Sequence, residues 1–358
     1  MGVKALSRQA RARAWRFGLS LLVAIPLLWW LGPWLGDRLR HMTGTEWAEV
    51  LSNSLSRSSI LILTALGLAI TFGVMRVINM AHGDMMMLGA YTAFVCTDRQ
   101  AIPILVRNLG ELFHQKWETE SGLSLNLYYA IPAAFIVTAL VGFVLEKCLI
   151  RFLYKRPLDS LLATWGVGMM IQQVIKLLFG ANLQPMHLPD ALQGGWTIGH
   201  LTIPVYRLFI LGITLFCLLI VYFWFYRTSF GLKIRAVVQN RPMAAALGIS
   251  TRRVDSLTFA FATGLAGVAG CILAHLYNIK YTMGNDYIVD AFMVVILGGM
   301  GQLSGAVGGG AIIGTGNSVV EKVLDNTSMA KVVVLLGVVL FILIRPSGLF
   351  ASKERTYD

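Results

Sequence analysis

Long apolar runs separated by short polar breaks constrain the fold of this chain more than any other feature. A helix needs about 20 apolar residues to cross a bilayer, and fewer where its backbone breaks inside protein. The runs predict helices near residues 17–35, 58–75, 85–96, 127–150, 158–179, 208–226, 256–277, 288–297, 306–320 and 330–344. The third, eighth and ninth runs are short. We therefore expect an all-α, polytopic transmembrane bundle of eight to ten spans, with short or broken glycine-rich helices.

Composition supports a membrane protein and excludes several other classes. The chain is 56% hydrophobic and 13% charged, whereas soluble domains are about 25% charged. Its net charge of +12 follows membrane topology, and no basic region interleaves aromatic residues as a single-strand nucleic-acid binder does. The four cysteines lie far apart, with no pair at metal-binding spacing. We expect neither nucleic-acid binding, nor a metal site, nor a disulfide.

The positions of Lys and Arg predict the orientation. Basic residues concentrate in 1–16, 151–156, 227–253 and the tail, which we assign to the cytoplasm. Segment 181–206 has no Lys or Arg, and 97–124 mixes both signs, so these face outward. Ten crossings would place both termini in the cytoplasm, which agrees with the basic residues at both ends.

The first apolar run allows two interpretations. It follows a basic arm, as the apolar part of a signal peptide does. Trp29, Trp30 and Trp34 cluster at its far end like an interfacial anchor, and no small-residue cleavage site is obvious, which favours a retained helix. We divide the chain into this arm and helix (1–50), a domain that holds the other apolar runs (51–350) and a tail (351–358).

Segment 67–91 holds the first glycine-containing polar break. Arg76, Asn79, His82 and Asp84 lie between apolar helices, where polar groups need partners or water. They either line a pathway for a polar solute, or form a turn in which Asn79 and Asp84 cap the next helix and Arg76 marks the cytoplasmic face. His82 and Asp84 alone are too few ligands for a metal.

Segment 289–314 holds the second break, which is rich in glycine. Its glycines either break a helix at the pathway or form a small-residue packing face over 305–309. They include Gly298, Gly299, Gly301 and Gly305. The two breaks lie in opposite halves of the chain, as in internally repeated transporters whose site lies near the bilayer midplane. We therefore expect a weak internal pseudo-repeat.

Segment 227–253 is basic and alanine-rich between two apolar spans. Its charges exclude it from hydrocarbon, and its small residues permit close approach by another protein. This combination favours a docking surface for a cytoplasmic protein. The alternative is an amphipathic loop lying on the membrane.

Four stretches resemble one known family. RVINMAHGD followed by MLGAY, FGLKIRAVVQNRPMAAALGI, LGGMGQLSGAVGG and the ending RPSGLF are similar to inner-membrane permeases of branched-chain amino acid ABC importers. Residues 161–181 and 287–301 are more similar to the urea permease branch. The resemblance covers about 51–350.

This resemblance implies an ATP-driven importer in a bacterial inner membrane. The chain would pair with a second, homologous permease, two cytoplasmic ATPase subunits and a periplasmic substrate-binding protein. The sequence lacks the G-x-x-x-x-G-K-[ST] pattern that wraps phosphates, so we expect no cofactor here and ATP hydrolysis by the partners. We expect urea as the solute, with branched-chain amino acids or other small amides as the alternative.

The resemblance also implies roles for named residues. A single coupling helix over 230–249 would dock the ATPase, with apolar contacts from Phe230, Leu232, Ile234, Val237 and Val238. The residues expected at this docking site are Phe230, Gly231, Lys233, Arg235, Arg241, Ala244, Ala245, Gly248 and Ile249. A neutral amide needs hydrogen-bonding groups along its pathway. The candidates are Asn79, His82, Thr164, Gln172, Gln173 and Asn317.

Two other functional classes stay open at this level. An intramembrane serine protease could use Ser304 with His275 or His82, although GQLSG is a loose setting for a nucleophile. A stand-alone secondary carrier would usually show an acidic group deep in a span, and the acids here mostly lie at predicted span ends or in loops.

Overall fold

The computed structural model describes residues 36, 38, 40–75, 77–112, 127–154, 156–186, 188–189, 192–198, 201–299, 301–346 and 348–350. The first apolar run, Arg76 and the tail 351–358 lie outside these residues. The helices are α1 (Gly44–Met75), α2 (His82–Thr97), α3 (Ala101–Leu112), α4 (Leu127–Leu153), α5 (Pro157–Phe179), α6 (Val205–Arg227), α7 (Ser229–Gln239), α8 (Arg241–Ala246), α9 (Thr251–Ala274), α10 (Met283–Gly298), α11 (Leu303–Leu324) and α12 (Thr327–Ile344).

The helical membrane bundle predicted from the sequence is confirmed. Within the described residues, six helices are long and apolar enough to cross a bilayer, or seven if α10 and α11 form one span bent by 117°. Each predicted helix inside the described ranges corresponds to a helix of the structure. The expected count of eight to ten included the run 17–35 and treated short helices such as α2 as crossings.

Two long helices form the centre of the bundle. In both α1 and α9, 83% of the most apolar 18-residue window is buried, against 11–28% for α4, α5, α6 and α12. Helices α2, α10 and α11 pack around this central pair. The outer helices therefore present apolar side chains to lipid, while α1 and α9 are enclosed by protein.

The ends of the helices follow local chemistry that hydropathy does not register. Helix α1 begins 14 residues before its predicted start, because Glu46 accepts hydrogen bonds from the Thr43 amide at 2.8 Å and from the Thr43 hydroxyl at 3.0 Å. Helix α4 is regular over Leu127–Leu145 and then widens into a π-helical turn, Glu146–Ile150. Segment 97–124, expected as a loop, contains α3.

A short hairpin interrupts the helical architecture. Strands β1 (Gly195–Ile198) and β2 (Leu201–Pro204) pair antiparallel, with Trp196 opposite Ile203. They lie in the connection from α5 to α6 that has no Lys or Arg.

Candidate functional site

Two short helices begin at the same point inside the bundle. Helix α2 follows α1 after a break, α10 follows α9 after a break, and each has 16 residues, too few to cross a bilayer alone. Gly83 and Gly284 are the second residues of α2 and α10, and their backbones are in contact. A Cβ on either glycine would collide with the backbone of the other. Both positions therefore require glycine.

The two helices extend from this meeting point toward opposite ends of the bundle. Helix α2 leads to Tyr91, whose ring lies 4.9 Å from that of Phe179 at the end of α5. Helix α10 leads to Gly298, which contacts Gly305 next to the C-terminal end of α1. The N-terminus of a helix carries the positive end of its dipole. Two positive helix ends therefore meet inside this membrane protein.

Gln172 of α5 joins the two helix starts. Its Nε2 donates to Oδ1 of Asp84 at 2.6 Å and lies 3.3 Å from Oδ1 of Asn285. Asp84 and Asn285 occupy the third position of α2 and α10, so one amide contacts equivalent positions of both helices. We call Asp84, Gln172 and Asn285 the amide bridge.

One face of α5 lies along the start of α2. Thr164 accepts a hydrogen bond from the Met80 amide at 3.1 Å. One turn later, Gly168 leaves room for the Asp84 carboxylate. One further turn along α5, Gln172 bonds that carboxylate. This four-residue spacing is the repeat of a single helix face.

The amide bridge is enclosed by the chain on one side only. Asp84 is 5% exposed, whereas Gln172 is partly exposed and Asn285 is exposed. Polar groups at membrane depth persist where they face protein or water. The open side of the bridge is thus a place where water, a solute or another subunit can lie.

Asn79 and His82 are buried beside this site, in roles that are largely structural. Asn79 Oδ1 accepts from the Ala81 amide at 3.1 Å, and Asn79 Nδ2 has no partner among the described residues. His82 Nε2 lies 3.0 Å from the Thr64 carbonyl and ties the start of α2 to α1. Asn79 fits the turn interpretation without capping α2, because it bonds the Ala81 amide, which lies before the helix. Asp84 is not a cap, because α2 begins without a side-chain cap.

The structure does not bring the other two pathway candidates into the bridge. Gln173 is exposed, one residue further around α5 than Gln172. Asn317 is buried in α11, and its Oδ1 has no partner among the described residues.

Sequence reasoning missed Asn285. It left Asp84 between pathway lining and helix capping and did not include it among the solute-binding candidates. The signal was a short local match, since HGD opens α2 and MGN opens α10. The expected repeat paired segment 67–91 with segment 289–314. The structure instead pairs α1 and α2 with α9 and α10, because those helices share a long buried member, a break and a glycine start.

The glycine-rich segment after α10 lies at the other end of the bundle. Gly299 and Gly301 have positive φ angles of 104° and 87° at the bend into α11, and Gly301 contacts Gly73 near the end of α1. Gly305 packs on Gly298. This segment is thus both a helix break and a small-residue packing face, and it is separate from the amide bridge.

A cleft of about 320 Å³ separates this break from α7. Its lining includes Val74, Ile234, Arg235, Gln302 and Ser304. Ser304 lies in this cleft, whereas His275 follows α9 at its opposite end and contacts the Cys271 carbonyl. Among the described residues, Ser304 contacts neither His275 nor His82, so they do not form a nucleophile and base pair.

The basic loop folds as two helices where a single one was expected. Helix α7 is capped by Thr228, whose Oγ1 accepts from the Gly231 amide at 3.0 Å. Helix α8 is capped by Asn240, which accepts from the Met243 amide at 3.0 Å. Pro242 causes the break. In a continuous helix it could not donate a backbone hydrogen bond to the carbonyl four residues earlier and its ring would clash there, whereas proline is tolerated in the first turn of α8.

Only part of the expected apolar contact surface is exposed. Ile234 and Val237 are buried against the chain's own Val254, while Phe230 packs beside them. The exposed apolar side chains are instead Leu232, Val238, Met243 and Leu247. The prediction that Ile234 and Val237 meet a partner is therefore wrong.

The small residues of the loop also divide into two groups. Ala244 is buried, whereas Ala245 is exposed. Gly248 ends α8 with φ +83° and open space around it, while the Ile249 amide bonds the Ala244 carbonyl at 3.0 Å. This is the pattern of a glycine-terminated helix. Lys233 and Arg235 are exposed as well.

Metal ligation finds no support in this arrangement. Across the described ranges, no group of three or more His, Cys, Asp or Glu side chains could hold a metal ion.

Comparison with known proteins identifies the family. The family model "Branched-chain amino acid transport system / permease component" matches residues 50–343. The permease LivH of Escherichia coli is 26% identical over 317 residues, covering 86% of this chain and 96% of LivH. The permease BraD of Pseudomonas aeruginosa is 26% identical over 318 residues, covering 86% of this chain and 97% of BraD.

An archaeal relative shows the same pattern. The probable branched-chain amino acid permease LivH of Methanocaldococcus jannaschii is 27% identical over 316 residues, covering 84% of this chain and 91% of that protein. No solved structure matches the chain. With its membrane helices and a family match over most of its length, this multi-pass inner-membrane chain belongs to the family of branched-chain amino acid transport permeases.

Proposed function

We propose that this chain is the permease subunit of an ATP-driven importer that carries a branched-chain amino acid. The relatives compared above are named as branched-chain amino acid permeases, and they align over 84–86% of the chain. Separate ATPase subunits, a second permease and a substrate-binding protein would complete the importer. This assignment replaces urea as the first expectation.

The observation that carries the proposal is the amide bridge at the meeting of α2 and α10. An amino acid is a zwitterion, so its site needs groups for both charges. The amide N–H groups at two helix N-termini favour a carboxylate, and the Asp84 carboxylate favours an ammonium group. A site with both groups side by side suits an amino acid.

The exposure of the bridge supports a pathway between two subunits. Gln172 and Asn285 lie on the side of the bundle that the chain leaves uncovered. A second permease placed against this side would enclose the polar groups and form the other wall of a pathway. ATP-driven movement of the subunits would then open the bridge to either face of the membrane.

Urea is the second candidate, and one observation favours it. Urea is neutral and has amide donors and an acceptor, and Gln172 and Asn285 can meet those groups without a charge. An amino acid needs the charged carboxylate of Asp84 for its ammonium group, whereas urea does not.

Transport by the intact importer tests both candidates. The chain, its partner permease, ATPases and binding protein are produced together in cells that lack leucine and urea uptake, and entry of labelled leucine and labelled urea is measured in parallel. We expect leucine uptake that stops when the ATPase catalytic site is inactivated. Urea uptake without leucine uptake would support the second candidate, and ATPase-independent uptake of either solute would refute an ABC importer.

A further inference from the structure

A closed ring of polar contacts joins α8, in the basic segment 227–253, to the membrane helices α4 and α9. Arg241, the first residue of α8, forms an ion pair with Asp255 near the start of α9. The same guanidinium lies over the Tyr154 ring, 5.1 Å from its centroid. One side chain of the docking segment thus contacts α9 and the residue that follows α4.

A buried carboxylate completes the ring. Glu146 is 1% exposed and lies in the π-helical turn of α4. It accepts hydrogen bonds from the Tyr154 hydroxyl at 2.7 Å and from the Ser256 hydroxyl. Ser256 follows Asp255 in α9, so the contacts return to the Arg241 partner. We call Arg241, Asp255, Ser256, Glu146 and Tyr154 the polar ring.

The chemistry of the ring makes it stiff. Asp255 is 2% exposed, and its Oδ1 has no partner among the described residues, so its charge is compensated chiefly by Arg241. Separating such a pair leaves an uncompensated buried charge, which strongly disfavours separation. Burial and the hydrogen bond to Glu146 raise the pKa of the Tyr154 phenol far above its ordinary value, so the phenol keeps its proton and donates.

The π-helical turn is a further sign of a specialised role. A π turn adds one residue to a helix turn and is often found at functional sites. Here it lies where α4 meets α9, and it holds Glu146 between Tyr154 and Ser256.

We infer that the polar ring is the linkage through which movement of the docking helices reaches the membrane helices. This inference rests on the proposed function, since it requires an ATPase that moves α7 and α8. A displacement of Arg241 would carry Asp255, and with it α9. Two turns further along α9, the Ala262 carbonyl lies against Gly67 beside His82. The movement therefore arrives where α2 begins, next to the amide bridge.

Loss of Arg241 should cause one defect if the residue only binds the ATPase and another if it transmits movement to the membrane helices. If Arg241 only attracted the ATPase, its loss would weaken binding of the ATPase, and hydrolysis and transport would fall together. A linkage residue leaves binding and hydrolysis intact, because it acts after the ATPase has bound. The diagnostic quantity is the number of solute molecules imported per ATP hydrolysed.

Reconstituted complexes provide the test. Complexes with both permeases and both ATPases are placed in proteoliposomes with the binding protein, and labelled leucine and urea uptake are measured with ATP hydrolysis on the same sample. The variants are Arg241→Gln, Asp255→Asn, Glu146→Gln and Tyr154→Phe. The exposed Arg253, at the start of α9, provides the control Arg253→Gln, which removes the same charge from the same basic segment 227–253.

Arg241 was expected at the docking site, but its guanidinium is engaged within the chain by Asp255 and Tyr154. We therefore expect each ring variant to bind the ATPase subunits as the wild type does and to import at least about fivefold fewer molecules per ATP, with Arg253→Gln unchanged. Because uptake is divided by ATP hydrolysis in the same sample, reduced abundance of a variant does not change the ratio. An unchanged ratio in Arg241→Gln and Asp255→Asn overturns the linkage. A wild-type complex that neither binds ATPases nor imports would refute the proposed function, and the linkage with it.

Discussion

Gln172 Nε2 lies 2.6 Å from Oδ1 of Asp84, and this contact brings a span of the outer bundle to the start of a half-length helix. The same nitrogen lies 3.3 Å from Asn285 Oδ1. Since Asp84 and Asn285 hold equivalent positions in α2 and α10, the pseudo-repeat converges on one side chain. A transport pathway that uses the repeat should depend on that side chain.

Replacing Gln172 by alanine should reduce uptake by about 10- to 100-fold. The reason is the loss of a hydrogen bond to a carboxylate, which contributes about 1.5–3 kcal/mol. Initial uptake rates at equal membrane abundance measure this effect. The matched control is Gln173→Ala, which removes the same amide from the exposed neighbouring position and should keep uptake within about twofold. Equal defects in both variants would contradict a role for the bridge.

Adding a methyl group where α2 and α10 meet should prevent folding. In Gly83→Ala or Gly284→Ala, the new Cβ would overlap the backbone of the opposite helix, and backbone cannot move aside as a flexible side chain can. Membrane abundance and the thermal midpoint of the purified chain report the loss.

Gly166 supplies the control for this pair. It lies in α5 with no atom near the position of an added Cβ, so Gly166→Ala should be stable, helped by the higher helix propensity of alanine. Similar stability of Gly83→Ala, Gly284→Ala and Gly166→Ala would show that the backbones of α2 and α10 are not in contact.

The sequence predicts the membrane bundle well, because apolar runs determine which segments can cross lipid. It predicts the start of α1 poorly, because residues 44–57 are too polar to register, although the hydrogen bonds of Thr43 and Glu46 begin a helix there. Contacts between distant segments, such as Gly83 with Gly284, leave no periodic pattern. Within the candidate site, Gln172 and Thr164 were predicted as polar groups in a span, whereas Asn285 needed the three-dimensional pairing.

The sequence also predicts the basic loop 227–253 only in part. Its position between two spans and its charge predict a cytoplasmic surface, but not which face of each helix is buried. Hydropathy ranks Ile234 and Leu232 alike, and only packing against Val254 separates the buried residue from the exposed one. Pro242 was a local signal for two helices that the single-helix prediction did not use.

Adjacent alanines in α8 should respond differently to enlargement. Ala244→Leu adds volume to the buried cluster of Ile234, Val237 and Val254, which should destabilise the fold by about 1–3 kcal/mol. Ala245→Leu changes an exposed position, so the chain should fold normally but bind the ATPase less well. Thermal midpoints and copurification of the ATPase separate the two effects. Normal ATPase binding by Ala245→Leu would place the docking contact elsewhere on the loop.

The end of α8 provides a graded test of the docking surface. Gly248 has φ +83°, a conformation that costs most residues about 1–2 kcal/mol but that asparagine adopts more readily. Because its surroundings are open, strain rather than collision should decide the outcome. Solute uptake and ATPase copurification should therefore decrease in the order Gly248, Gly248→Asn, Gly248→Val. Loss of ATPase binding in Gly248→Asn equal to that in Gly248→Val would show that the added side chain obstructs the partner, and that backbone strain is not the cause.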